Sequence, residues 1–204
     1  MKIYEYRDFP NPRRVRLFLA EKGIGDIDFQ QVDVTGREHR SEPFLAKNPF
    51  AGLPVLELDD GSYLSETVAI CRYFEARHPS PSLMGRTAEE VARIEMWQRR
   101  AEETLLNPLL AYFHHATPGL GPLEAYQNRD WGLKSRGQAL AALAIFDDQL
   151  KRHPYLAGEA FSIADITALS ALDLGRALDV GLPEGLDHLH GWYDRVSRRA
   201  SAGA

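Results

Sequence analysis

The chain has 204 residues, of which 44% are hydrophobic and 26% are charged, and its formal net charge is −5. These values are ordinary for a globular protein, and the negative charge argues against a nucleic-acid partner. No apolar run approaches the roughly 20 residues that cross a bilayer, and the first residues lack the apolar segment of a secretory signal. A single cysteine, Cys71, rules out an intrachain disulfide, which suits a reducing cytoplasm.

The first third of the chain alternates strand-like and helix-like segments. Residues 2–6 and 29–34 are β-prone and predict two strands. Between them, Asn11 is expected to cap a helix in which Pro12 takes the first position. This strand-helix-strand order favours parallel pairing through a right-handed crossover, and a short helix is predicted over residues 42–47.

Residues 48–74, NPFAGLPVLELDDGSYLSETVAICRYF, predict a β-hairpin followed by a helix. The Asp-Asp-Gly turn joins two short strands, and Ser65 is expected to cap a helix that starts at Glu66. A cis bond is expected at Leu53–Pro54, which would turn the Leu53 backbone outward to pair with an extended ligand. The free N–H groups at the start of the helix predict a carboxylate site. The complete order, β-α-β-α-β-β-α, is the thioredoxin-like arrangement.

A linker with two prolines, residues 78–82, separates this region from a second one rich in alanine and leucine. Capping boxes at Thr87 and Ser162 predict two helix starts. Helices are expected over 87–116, with a kink at Pro108, and near 128–153 and 186–199. The sequence therefore predicts an α/β thioredoxin-like domain over residues 1–78 and an all-α domain over residues 87–204.

The run NPFAGLPVLELDDG followed by SETVAI resembles the glutathione-binding half of the glutathione S-transferase superfamily. The segment FSIADIT resembles a folding signature in the second domain of the same family, so the resemblance covers nearly the whole chain. It implies a cytosolic homodimer that acts in detoxification. Such an enzyme adds the glutathione thiolate to small hydrophobic electrophiles, which bind between the domains against side chains of the helical one.

The resemblance also implies how glutathione is bound. Leu53 beside Pro54 would pair with the cysteinyl backbone, while Glu66 and Thr67 would bind the γ-glutamyl end. The glycyl carboxylate needs a cation or polar donors, and three basic side chains are candidates: His39, Arg40 and Lys47. A polar pair expected after Asn-Pro is replaced by Phe50-Ala51, which shifts this prediction towards His39 and Arg40.

The sequence indicates less clearly which residue activates the glutathione thiol. A free thiol has a pKa of about 8.5, so the protein must stabilise the thiolate. The family usually places a Ser, Tyr or Cys near the position of Phe9, but residues 1–35 contain no Ser or Cys. We hypothesise that Asn11 donates its amide to the thiolate and that His115, or else His114, accepts the proton through a water. Tyr6 is the remaining hydroxyl donor to be tested, and no metal site is predicted.

Two other functions compete with conjugation. The first is a glutathione-dependent oxidoreductase or isomerase, although Cys71 is poorly placed for a mixed disulfide. The second is a non-catalytic glutathione-binding module, which the missing serine favours. The intact Leu53-Pro54 and Glu66-Thr67 elements argue against the second alternative.

Overall fold

A computed structural model describes all residues from 1 to 204, and the chain divides into two compact units. The sheet unit contains residues 1–82 and 203–204, and the helical unit contains residues 83–202. None of the helices is both long enough and apolar enough to span a membrane.

The sheet unit is a four-stranded sheet with helices, in the order that the sequence predicts. Its strands are β1 (Lys2–Glu5), β2 (Asp28–Gln31), β3 (Val55–Glu57) and β4 (Tyr63–Ser65), and its helices are α1 (Pro10–Glu21), α2 (Glu42–Leu45) and α3 (Thr67–Arg77). The strand order is β2-β1-β3-β4, with β1 and β2 parallel and β3 antiparallel to both of its neighbours. The thioredoxin-like fold is confirmed.

The register of the sheet brings several chain segments to one edge. Val55 at the start of β3 lies opposite Tyr4 of β1 and Ser65 of β4. Strands β1 and β4 therefore end at the edge where β3 begins, and α1 and α3 follow those two strands. We call this side of the sheet the binding edge.

The helical unit contains five α-helices, which confirms the predicted all-α architecture. They are α4 (Ala88–Ala101), α5 (Asn107–Ala116), α6 (Arg129–Leu150), α7 (Ile163–Ala177) and α8 (Asp187–Val196). A π-helical turn over Glu102–Leu106 joins α4 to α5 and ends two residues before Pro108. Proline cannot donate a backbone hydrogen bond, and the widened turn accommodates it where the sequence predicted a kink.

Two predicted helix caps are wrong. Helix α1 begins at Pro10 with Phe9 as its N-cap, so Asn11 lies inside the first turn; the fixed φ of Pro10 starts the helix two residues earlier than predicted. Helix α3 begins at Thr67, and its N-cap is Glu66 rather than Ser65. Ser65 is unavailable as a cap because it pairs with Val55 in the sheet.

Both predicted capping boxes are confirmed, and the second does more than start a helix. Asp165 is fully buried, and its Oδ2 accepts hydrogen bonds from the N–H and hydroxyl of Ser162 at 3.0 and 3.1 Å. Its Oδ1 accepts from the Leu156 N–H at 3.0 Å and from the Trp192 indole at 2.9 Å. Burial raises the pKa of Asp165 to about 6, while these donors favour the carboxylate. One side chain thus joins α7, α8 and the segment before α7.

We expect Asp165→Ala to lower the free energy of unfolding by about 3–5 kcal/mol, because it leaves several buried donors without an acceptor at about 1–3 kcal/mol each. Urea denaturation followed by circular dichroism measures the change. Asp130→Ala, which removes an exposed first-turn aspartate of α6, serves as control and should change stability by less than about 0.5 kcal/mol. If Asp165→Ala lowered the free energy of unfolding by less than about 1 kcal/mol, that result would contradict the role of Asp165 in joining α7, α8 and the segment before α7.

Candidate functional site

The N-termini of α1 and α3 lie side by side at the binding edge. The Thr67 hydroxyl donates a hydrogen bond to the Asn11 carbonyl at 3.4 Å, which joins the first turns of the two helices. Helix N-termini carry unpaired N–H groups and the positive end of the helix dipole. Their convergence creates a place that favours an anion such as a carboxylate or a thiolate.

The Leu53–Pro54 bond is cis, as the sequence predicted. The N–H and C=O of Leu53 form no hydrogen bond within the protein, so both are available to an extended ligand. The preceding loop is braced by the buried Asn48, which donates to the Gly52 carbonyl at 2.9 Å and accepts from the Phe50 N–H at 3.1 Å. This bracing role of Asn48 was not predicted.

Glu66 occupies an unusual backbone position between β4 and α3. Its φ of +69° lies in a region that residues other than glycine rarely adopt, and such strain often marks functional sites. The side chain is exposed and has no ion pair or hydrogen bond. A free carboxylate therefore lies beside the anion-favouring N-terminus of α3, which suits a ligand carrying an amine next to a carboxylate.

His39 and Arg40 lie in a short 3₁₀ helix that follows β2. His39 is buried, and its Nε2 accepts a hydrogen bond from the Arg40 Nε at 3.3 Å, while its Nδ1 has no partner. Burial, and to a lesser extent the neighbouring Arg40, lower the pKa of His39. The neutral, enclosed imidazole is a poor direct partner for a carboxylate, whereas the exposed Arg40 guanidinium remains accessible.

The side chains near the start of α1 offer one amide donor. The Asn11 Oδ1 accepts from Arg14 at 3.1 Å, which leaves the Asn11 amide nitrogen available to donate. The Tyr6 ring packs against Phe9 with 4.7 Å between centroids. Cys71 is fully buried, and burial raises the pKa of its thiol to about 12, so it is not a nucleophile.

The two histidines at the end of α5, in the helical unit, are held by the segment that follows the helix. The His114 Nδ1 lies 2.7 Å from Glu124, and the His115 Nδ1 accepts the Asn128 N–H at 3.2 Å. With its Nδ1 lone pair occupied, a neutral His115 carries its proton on Nε2 and acts there as a donor. The sequence offered no signal for this tautomer, since the donor is a backbone group 13 residues away.

The structure thus brings four of the predicted site residues, Asn11, Leu53, Glu66 and Thr67, to the binding edge. Pro54 follows Leu53 and leads into β3, whereas His39 and Arg40 lie on the segment after β2. Strand β2 runs parallel to β1, so this segment leaves the sheet from the same edge. His115 belongs to the other unit.

Comparisons with known proteins place both units in one family. A family model described as the glutathione S-transferase N-terminal domain matches residues 3–82, and one for the C-terminal domain matches residues 104–200. Glutathione S-transferase 2 of Saccharomyces cerevisiae is 44% identical over 203 residues, covering 98% of this chain and 87% of the relative.

Two crystal structures are similar over almost their entire length. A glutathione S-transferase domain-containing protein from Marinobacter aquaeolei has a TM-score of 0.96 at 48% identity, covering 98% of this chain and 99% of that chain. Gtt2 from Saccharomyces cerevisiae has a TM-score of 0.96 at 43% identity, covering 100% of this chain and 99% of that chain. With both domain models matched in order and relatives this similar, the chain belongs to the glutathione S-transferase superfamily.

Proposed function

We propose that this glutathione S-transferase joins the thiolate of glutathione, its co-substrate, to small hydrophobic electrophiles. The observation that carries the proposal is the binding edge, where two helix N-termini, an unpaired Leu53 backbone and the free Glu66 carboxylate meet. These groups match the carboxylate, peptide backbone and amine of a γ-glutamyl tripeptide. The electrophile would be held by apolar side chains of the helical unit.

In this proposal each part of glutathione has a partner. The N–H groups at the start of α3, including that of Thr67, receive the γ-glutamyl carboxylate, and Glu66 receives the amine. Leu53, positioned by Pro54, pairs with the cysteinyl backbone through its N–H and C=O. Arg40 binds the glycyl carboxylate, with His39 behind it as a positioning residue.

The thiolate is stabilised by donors rather than by a serine or cysteine. Lowering a thiol pKa by about two requires roughly 2.7 kcal/mol of preferential stabilisation of the anion. The first N–H groups of α1 and the Asn11 amide supply part of this stabilisation of the thiolate. His115 was predicted to accept the thiol proton, but the bond from Asn128 favours donation from Nε2. We therefore propose that His115 acts as a donor through its Nε2 rather than as a base, and that the thiol proton leaves to solvent.

The rival functions are less well supported. A mixed-disulfide mechanism needs an accessible low-pKa cysteine, and the burial that raises the pKa of Cys71 to about 12 argues against one. A non-catalytic module would bind glutathione without conjugating it. Glutathione affinity chromatography followed by a chlorodinitrobenzene conjugation assay separates these cases, because a module would be retained on the column yet form no conjugate.

The homodimer and the cytoplasmic location are also part of the proposal. Phe50 is 84% exposed on the loop that Asn48 braces, and a rigid, exposed aromatic side chain suits a protein–protein contact. The single buried thiol suits a reducing compartment.

Glu66→Ala should raise the KM for glutathione roughly 10- to 100-fold, because a hydrogen bond to a charged amine contributes about 1.5–3 kcal/mol. The KM for the electrophile should change little. Initial rates measured with each substrate varied in turn test this. The exposed Glu42→Ala, at the start of α2, is the matched control. An unchanged glutathione KM in Glu66→Ala would remove Glu66 from the site.

Activation is tested by the ultraviolet absorbance of the bound glutathione thiolate against pH. Asn11→Ala and His115→Ala should each raise the pKa of bound glutathione by about one, as expected for losing a donor to an anion. His115→Ala should lower kcat and keep the acid limb of the pH-rate profile, whereas loss of a general base would flatten that limb. Tyr6→Phe is the control, and if it alone abolishes the low-pKa thiolate, Tyr6 is the activating group instead.

Phe50→Ser should weaken self-association by about 30-fold or more, the effect of removing a central aromatic contact. Sedimentation equilibrium across a range of concentrations measures this dissociation constant. Ile145→Ser, which removes a side chain that is 62% exposed on α6, is the control for lost surface hydrophobicity. Equal behaviour of both variants would place the dimer contact elsewhere.

A further inference from the structure

A cleft lies within the helical unit, between the end of α6 and helix α8. It is a shallow cleft, largely open to solvent, with a volume of about 380 Å³, and five of its lining side chains are basic: Lys151, Arg152, His153, His188 and Arg195. Asp187 is the one carboxylate in the lining. A local excess of positive charge is unexpected in a chain whose net charge is −5, so it calls for an explanation.

Not all of this charge is neutralised by neighbours. Arg152 pairs with Asp148 at 2.9 Å, and His153 lies 3.4 Å from Glu159. Lys151 and His188 are exposed, and neither side chain forms an ion pair or a hydrogen bond. Arg195 donates to the Pro154 carbonyl and stacks 5.4 Å from the centre of the Tyr155 ring, two contacts that leave its charge without a counterion.

Hydrogen bonds hold helix α8, which forms one wall of the cleft, in place. Trp192 is buried, and its indole N–H donates to Asp165 at 2.9 Å. The Leu189 N–H donates to the Asp147 carboxylate at 2.8 Å, which ties α8 to α6. A preformed site loses less conformational entropy when a ligand binds.

A glycine lies in the lining of the cleft. Gly191 lies inside α8 and lines the cleft, although glycine destabilises the interior of a helix relative to alanine. A Cβ built at this position would meet no atom within 4 Å, so packing does not demand glycine. Because Gly191 has no side chain, the space above the helix backbone is free at this position.

We propose that this cleft binds a small anion that carries phosphate groups. Lysine and arginine are the usual partners of phosphate oxygens, and His188 adds a further donor. Asp187 can accept a hydrogen bond from a hydroxyl group of the same ligand. The volume falls within the ~300–1,000 Å³ typical of small-molecule sites, which leaves room for an organic group beside the phosphate. This site uses none of the residues assigned to glutathione, so it is a second function of the chain.

Isothermal titration of the full chain with inorganic pyrophosphate, and separately with ADP, tests the proposal at an ionic strength near 0.15 M. Lys151→Glu should weaken binding at least 10-fold by reversing an unpaired charge. Gly191→Leu should weaken it similarly by filling the cleft, while improving the helix propensity of α8. Tighter binding of ADP than of pyrophosphate would identify a nucleotide as the source of the phosphate; equal binding would identify the diphosphate itself.

Lys134→Glu is the matched control, since it makes the same charge change at an exposed lysine near the other end of α6. It should leave the dissociation constant within about twofold of the wild-type value, because charges far beyond the Debye length are screened. Circular dichroism and glutathione conjugation rates, which should match wild type in all three variants, establish that they are folded. Absence of saturable binding to both probes would overturn the proposal, and so would equal losses in Lys151→Glu and Lys134→Glu.

Discussion

The register of one short strand determines the geometry of the binding edge. Val55 pairs with Tyr4 on one side and with Ser65 on the other, and these pairings bring the ends of β1 and β4 to the start of β3. A slip of one residue in β3 would turn its side chains to the opposite faces of the sheet. It would also move Leu53 away from the first turns of α1 and α3. The packing of the β3 side chains and the position of the Leu53 backbone therefore depend on the same hydrogen bonds.

Much of the chemistry at this edge belongs to the backbone. The Leu53 peptide groups and the first N–H groups of two helices are present whatever side chains surround them. Such a site retains anion-binding capacity when a catalytic hydroxyl is missing, because the helix termini and the buried sheet still orient the donors. In the proposed function, these backbone donors take the place of a serine or cysteine near Phe9.

Local sequence chemistry was sufficient for the order of elements, the cis bond at Pro54 and the capping box at Ser162. Each depends on one or two residues with strong conformational preferences. The same local rules failed at Asn11 and Ser65, where a neighbouring proline and the pairing of a strand took precedence over good capping side chains. The tautomer of His115 and the basic cleft could not be foreseen. They arise from groups that are distant in sequence and meet only after the helices have packed.

The π-helical turn between α4 and α5 has a consequence for comparing related sequences. Such a turn contains one residue more than an α-helical turn, and each residue of an α-helix advances the side chains by about 100° around the axis. The wider turn takes up the extra residue, so α5 keeps the orientation that an uninterrupted α-helix would give it. A relative without the extra residue would place its α5 side chains in the same orientation, with their numbering shifted by one. In an alignment without a gap here, the residues matched to His114 and His115 would be wrong by one position, which corresponds to about 100° around the helix axis.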